Sequence, residues 1–248
     1  MSETQTHQAP KSGGPVDPTL IADLVTANHI LADQGVVDGY GHVSIRHPGA
    51  ADRYFLSRSR APALIEADDI LEFDLDSNPV RPPNQTMYIE RFIHGEIYKA
   101  RADVQAIVHS HSPTVIPFGV SSVKLQPICH MSAFIPHDVP NFEMRQEFGM
   151  TDLLIRNAAH GRALAQALGS ANVALMRGHG NVCVAHNLMT AVYRAIYTEV
   201  NARLQLNAIA LGGAVTYLDP GECAVINGRT DTHVHRPWEL WKRRVEGA

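Results

Sequence analysis

Histidines and a glutamate in three short stretches carry the chemistry open to this chain. In "VHSHSP" (108–113) an apolar run ends in His109 and His111. Residues two apart on a strand point to one face, so these imidazoles project together and can share a divalent cation, given a third ligand from elsewhere. Alone the pair is a weak signal, because a chain with 14 histidines holds about one such spacing by chance. A second pair, His233 and His235, lies in a polar stretch and reads as a solvated tail. His179 closes another apolar run in "LMRGHGN", between Gly178 and Gly180, where the backbone can turn sharply and approach another group closely. It reads equally as a histidine in a tight turn. Glu90 and His94 are four apart on a helical pattern leading into the HSH strand, and so share a face. Taken alone, Glu90 reads as a surface carboxylate.

The elements that must position these residues follow from periodicity and punctuation. A first helix is capped by Asp17, carries Pro18 in its first turn and stops at Gly35. "YGHVSIRHP" and "RYFLSRS" alternate apolar and polar residues across a Pro/Gly turn, as a hairpin does. "ILEFDLDSNPV" is a further strand ending in a turn. Ile89, Ile93, Ile97 and Ala100 recur at helical spacing from Met87 onward. "KLQPICHMSAF" (124–134) is expected to be a strand, and "TDLLIRNAAHGRALAQALG" (151–169) a helix. "NVALMRGHGNVCVA" reads as two strands about a glycine turn, and the longest helix runs from an Asn187 cap to Gly212. Hairpins interspersed with helices predict an α/β fold with a mostly antiparallel sheet covered by helices. The two tryptophans of "HVHRPWELWKRR" imply that this segment docks onto something.

Composition narrows the rest. Of 248 residues, 45% are apolar and 19% charged, ordinary for a globular protein, and no repeat or linker divides them. Residues 1–16 read as a disordered tail without the features of a secretory signal, and 17–248 as a single domain. The net charge of -4 gives no reason to expect nucleic acid or an anionic membrane as partner. Cys129, Cys183 and Cys223 are an odd number without CxxC spacing, which favours buried apolar cysteines in a reducing cytoplasm.

Taken together, "GHVSIR" (41–46), "ERFIHGEIYKARADVQAIVHSHSP" (90–113) and "ALMRGHGNV" (174–182) resemble the class II aldolase/adducin family, in the family's order and across nearly all of the chain after the tail. The resemblance implies a three-layer α/β/α fold with a central mostly antiparallel sheet, assembled as a homotetramer with sites at subunit interfaces. It implies that His109, His111 and His179 hold one divalent metal per subunit, Zn2+ or Mn2+ with Fe2+ or Co2+ as alternatives, and that Glu90 is the catalytic acid/base.

The sequence departs from the sugar-phosphate aldolases where these bind phosphate, with His42, "LSRSRAP" and Tyr88-Ile89 in place of small hydroxyl and glycine groups. Arg58 and Arg60 instead offer guanidinium groups to a carboxylate, or are ordinary surface charge. "LSRSRAP", "ERFIHGEIY" and "SHSPTVIPFGV" look like the branch of 3-hydroxy-2-methylpyridine-4,5-dicarboxylate and 3,4-dihydroxyphthalate decarboxylases. That implies a lyase that decarboxylates a small hydroxylated aromatic carboxylate. Glu90 would deliver a proton to the ring from a carboxyl whose pKa is raised by Ile89, Phe92 and Ile93. His42 would lie beside the substrate; His130 is either a pocket residue or a satisfied core histidine. Three other readings stand beside this one: an aldolase on a non-phosphorylated hydroxy-acid, an iron(II)-dependent oxygenase, and a non-catalytic adducin-like scaffold.

Overall fold

The computed structural model describes residues 9–81, 84–230 and 233–247. In chain order the elements are α1 (Pro18–Asp33), β1 (His42–Arg46), β2 (Arg53–Ser57), β3 (Ile70–Asp74), α2 (Phe92–Ala100), β4 (Ala106–Ser110), α3 (Ile116–Val120) and β5 (Asn141–Phe142). There follow α4 (Arg145–Phe148), α5 (Ala158–Leu168), β6 (Val173–Met176), β7 (Gly180–Ala185), α6 (Leu188–Ala210), α7 (Pro220–Thr230) and α8 (His235–Val245). The strands form one sheet in the order β3-β2-β1-β4-β7-β6-β5, antiparallel throughout except for the short β5–β6 pair. Helices cover both faces. This is the expected three-layer α/β/α architecture.

Strand alternation divides the core in two. On β4, Ala106 and Val108 face α1, α6 and α8, whereas Ile107 faces α2 and α5. On β7, Cys183 and Ala185 take the first face, and Val182 and Val184 the second. His109 is in phase with Ile107, so the period of two sends it to the α2 side of the sheet. His42 is its direct partner across β1–β4 and projects to that side as well.

Several boundaries follow the sequence. Asp17 accepts from Thr19 N with Pro18 at the first helical position, and Asn187 caps α6 through Thr190 N. Trp238 and Trp241 are buried with α1 and α6, so the C-terminal helix docks on its own chain. Val234 is buried too, and the stretch read as a solvated tail around His233 and His235 is the start of that helix.

Other expectations need correction. Residues 124–134 form no strand, only a short 3-10 turn at His130–Ser132. Two amides of α6 take the place of a sheet partner: Asn201 bonds Ile128 N and Gln126 O, and Gln205 bonds Gln126 N and Lys124 O. The helix expected from Thr151 starts only at Ala158, where Asn157 accepts from His160 N. Of the N-terminal tail, 1–8 lie outside the described residues. Ser12 Oγ and Gly13 N donate to Glu72, and Arg53 donates to Lys11 O, so residues 11–13 lie along the outer strands. Among the described residues, no helix is long and apolar enough to cross a membrane.

Candidate metal centre

Glu90, His109, His111 and His179 converge, each offering one ligand atom, and these atoms all lie within 4.8 Å of one another. His111 Nε2 stands 3.2 Å from His109 Nε2 and 2.9 Å from His179 Nε2. The other ring nitrogens explain why these face inward. His109 Nδ1 meets the carbonyl of Asn181 at 3.2 Å, and His179 Nδ1 that of Leu153 at 3.0 Å. A carbonyl only accepts, so each Nδ1 carries the hydrogen and each Nε2 turns a lone pair toward its neighbours. At most one hydrogen from His111 can lie among the three. Acceptors gathered in this way suit a divalent cation. Burial, followed by the adjoining His109 and His179, pushes the His111 imidazole down to about 4, which keeps it in the neutral ligating form.

Glu90 supplies the fourth group. Its Oε2 lies 3.3 Å from His179 Nε2 and 3.5 Å from His109 Nε2, while Oε1 accepts from Ile155 N at 3.0 Å. It occupies a 3-10 turn at φ -85, ψ 16, just before α2, rather than the body of a helix. The expected raised pKa is not found. Burial pushes the carboxyl up, but positive charge at the His109 and His179 side chains, carried by an added ring proton or by the cation their lone pairs would hold, more than offsets this and keeps it well below the usual carboxylate range. Ile89, expected to help desolvate it, is 48% exposed. Glu90 therefore rests as a carboxylate.

The turns that carry the ligands are anchored from behind. Gly178 adopts φ +66, and a Cβ on Gly180 would collide with the carbonyl of Ser110, the residue between His109 and His111. Gly180→Ala should therefore push His179 away from its partners. The expected cost is about 1–3 kcal/mol of stability by urea unfolding, with a loss of metal affinity; unchanged values on both counts would show that β4 tolerates the methyl. Beyond His111, buried Glu199 on α6 accepts from Ser112 Oγ and from the Thr114 amide and hydroxyl, fixing the end of the HSHSPT segment. Leu153, whose carbonyl holds His179, stands at φ +67, a left-handed conformation that costs an L-residue roughly 1–2 kcal/mol.

His42 lies against the centre, its ring centroid 5.0 Å from His109 and 4.6 Å from Tyr88. Arg58 and Arg60 are not loose surface charge. Arg58 Nε donates to Asp69 Oδ1 at 2.5 Å and Arg60 Nη1 to Oδ2 at 2.6 Å, and Asp69 is 4% exposed. Tyr88 Oη donates to the Arg60 carbonyl, which links the arginine segment to the ring packed on His42. His130 does not join them: it lines a separate cavity of about 880 Å³ with Tyr193, Tyr197, His233 and Arg236.

Sequence reasoning missed Leu153 and Ile155, which act through backbone groups, and Tyr40, whose ring stacks on His111 at 5.9 Å. It also missed Asp69, Glu199 and the polar row behind His42. The Asn157 cap was a usable signal, since it frees residues 151–156 from the helix. No local signal marks a carbonyl that will meet a ligand 26 residues away.

The sequence model of the "Class II Aldolase and Adducin N-terminal domain" matches residues 22–206. Decarboxylase tropJ of Talaromyces stipitatus is 39% identical, with 91% of this chain and 94% of that protein covered. A 3,4-dihydroxyphthalate decarboxylase of Arthrobacter keyseri is 30% identical, over 91% and 93% of the two chains. Among solved structures, an L-fuculose 1-phosphate aldolase from Glaciozyma antarctica superposes with a TM-score of 0.75, covering 94% and 95% of the chains at 22% identity. That likeness concerns the fold alone.

Proposed function

The chain belongs to the class II aldolase and adducin family, and from that premise we propose that it is a divalent-metal-dependent carboxy-lyase acting on a small hydroxylated aromatic carboxylate. The observation that carries a metal-dependent reaction is the convergence of three imidazole Nε2 atoms with the Glu90 carboxylate. The choice of decarboxylation is supported by the names of the 39% and 30% identical relatives. His109, His111 and His179 would hold the ion, Zn2+ or Mn2+ with Fe2+ or Co2+ as alternatives, which when bound supplies Lewis-acid stabilisation of negative oxygen.

The protein's own groups account for the proton and for orientation. Glu90 rests ionised, so it must gain a proton before it can give one. The substrate's ring hydroxyl is the source: its proton passes to Glu90 Oε2, and the ring gains electron density at the carbon bearing the carboxylate. Glu90 returns the proton to that carbon. The bond to the carboxylate then breaks, carbon dioxide leaves, and the bonding pair restores the aromatic ring. Ile155 N, on Oε1, holds Glu90 in place through both transfers. Arg58 and Arg60, pre-set by Asp69, take a further carboxylate of the substrate, with His42 beside it. Tyr40 lends an aromatic wall at the rim.

A homotetramer is part of the proposal. Met131, Val225 and Leu240 are exposed around the His130 cavity and give an assembly apolar surface to cover. The test of function is direct. Metal-loaded protein is incubated with hydroxylated aromatic mono- and dicarboxylates, and carbon dioxide, aldehyde and oxygen are followed together. Stoichiometric carbon dioxide is the expected product. Aldehyde release would make the chain an aldolase, oxygen consumption an oxygenase, and no turnover of any acid would remove the enzymatic reading.

A further inference from the structure

Behind His42 runs a row of three polar side chains, His94, Ser44 and Tyr98, that the reaction above does not use. His42 Nδ1 stands 2.7 Å from His94 Nε2, His94 Nδ1 2.6 Å from Ser44 Oγ, and Ser44 Oγ 2.8 Å from Tyr98 Oη. All four residues are between 0% and 3% exposed, so their hydrogens are fixed by one another rather than by water. Each link needs one donor and one acceptor. Every hydrogen in this dry row also needs an acceptor, which leaves two directions that satisfy all of the groups, and they differ at the end nearest His109: His42 Nε2 is either an N–H or a bare lone pair.

The far end decides the direction. Were Tyr98 to accept from Ser44, its own hydrogen would have to go to the Gln105 carbonyl. That carbonyl is 3.5 Å away and already accepts from Arg46 N at 2.8 Å. A contact at the limit of hydrogen bonding is a poor exchange for one of 2.8 Å. The Arg46 guanidinium also lies 4.6 Å above the Tyr98 ring, which favours the phenol as a donor. With Tyr98 donating to Ser44, the hydrogen of this buried hydroxyl finds its acceptor in His94 Nδ1, since accepting from both neighbours would leave it unpaired, and His94 Nε2–H then donates to His42 Nδ1. His42 Nε2 then bears the outward hydrogen. Protonating either ring would leave a buried charge among neutral partners.

We propose that Tyr98, Ser44 and His94 are positioning residues that lock His42 as an Nε2–H donor, which keeps it out of the metal's ligand set and aims it at an oxygen of the anionic substrate. The first consequence answers a problem of geometry. His42 is the direct cross-strand partner of His109 and its ring centroid lies 5.0 Å from that of His109, so a bare lone pair there would be a competing imidazole beside the ligand set. A hydrogen on Nε2 prevents this, preserving open coordination positions. The second consequence rests on the proposed function: an N–H attracts a carboxylate or ring oxyanion, where a lone pair would repel it.

Tautomers are measurable without turnover. Full-length protein carrying isotope-labelled histidine is examined by long-range proton–nitrogen correlation, with and without Zn2+. Both His42 and His94 should show hydrogen on Nε2 in either state; hydrogen on Nδ1 of His42, or a Zn2+-induced shift marking its Nε2 as a ligand, overturns the proposal. Ser44→Ala removes the hydroxyl that fixes His94, so both rings should populate mixed tautomers. KM for an accepted aromatic carboxylate should rise about ten-fold, with kcat within about two-fold of normal. Ser44→Thr keeps a hydroxyl, and if it folds should restore both readouts. A Ser44→Ala protein that folds with unchanged tautomers shows that the row does not set His42. Absence of turnover on every acid counts against the proposed function alone, since the tautomers still decide this inference.

Discussion

Glu90→Gln should cut turnover of an accepted aromatic carboxylate by about 10²–10⁴ while bound metal stays close to wild-type stoichiometry. The amide matches the carboxylate in shape, and its oxygen can still accept from Ile155 N, the bond that holds Oε1 in the native site. What it loses is basicity. Glu90 is kept ionised because burial is outweighed by His109 and His179, so its part in the reaction begins with accepting a proton, and an amide cannot do this. Single-turnover rates and elemental analysis on the same sample separate the alternatives. Turnover near normal removes Glu90 from proton transfer. Metal lost in parallel with activity makes it a structural ligand instead, a result that its 3.3 Å approach to His179 Nε2 would then explain.

The convergence of the three histidines was legible only in part from strand periodicity, and it took the family resemblance to join His179 to the pair. An HxH pair must share a face, and Gly178-His179-Gly180 marks a turn where the backbone comes close. The layer order came from the family resemblance together with hairpins interspersed with helices: β4 and β7 are continuous apolar runs, and their residues divide between two cores because helices cover both faces of the sheet. The protonation state of Glu90 was not legible. Its apolar neighbours in sequence suggested a raised pKa, but two imidazoles from β4 and the β6–β7 turn decide the balance, and those contacts exist only in the fold. Residues 124–134 misled in the same way. They have the composition of a strand, and become a loop because Asn201 and Gln205, some 75–80 residues later, satisfy the backbone from a helix. His130 went with that error: a strand would have brought it toward the sheet, whereas the turn leaves it facing the cavity beside α6.

His109→Ala is the substitution expected to abolish metal binding. The residue is fully buried, its Nδ1–H is spent on the Asn181 carbonyl, and its Nε2 is 3.2 Å from that of His111. Alanine removes one of three imidazoles and leaves a cavity that no neighbouring ligand can fill, since His111 and His179 are fixed by their own turns. Affinity should fall by more than about 100-fold, beyond the loss expected from disturbing only an outer hydrogen bond. Two measurements register this without any substrate. Elemental analysis after dialysis against buffer with trace Zn2+ or Mn2+ should drop from about one ion per chain to a small fraction of that. Thermal unfolding should lose its metal dependence, because an ion present at 100 times its Kd stabilises the native state by about 2.7 kcal/mol and the variant no longer binds it at that concentration. His130→Ala is the matched control: it removes an imidazole from a different cavity and should leave both readouts as they are. Undiminished metal in His109→Ala would sink the three-histidine centre. Metal lost equally in His130→Ala would point instead to general destabilisation, and the two variants together distinguish a missing ligand from a weakened fold.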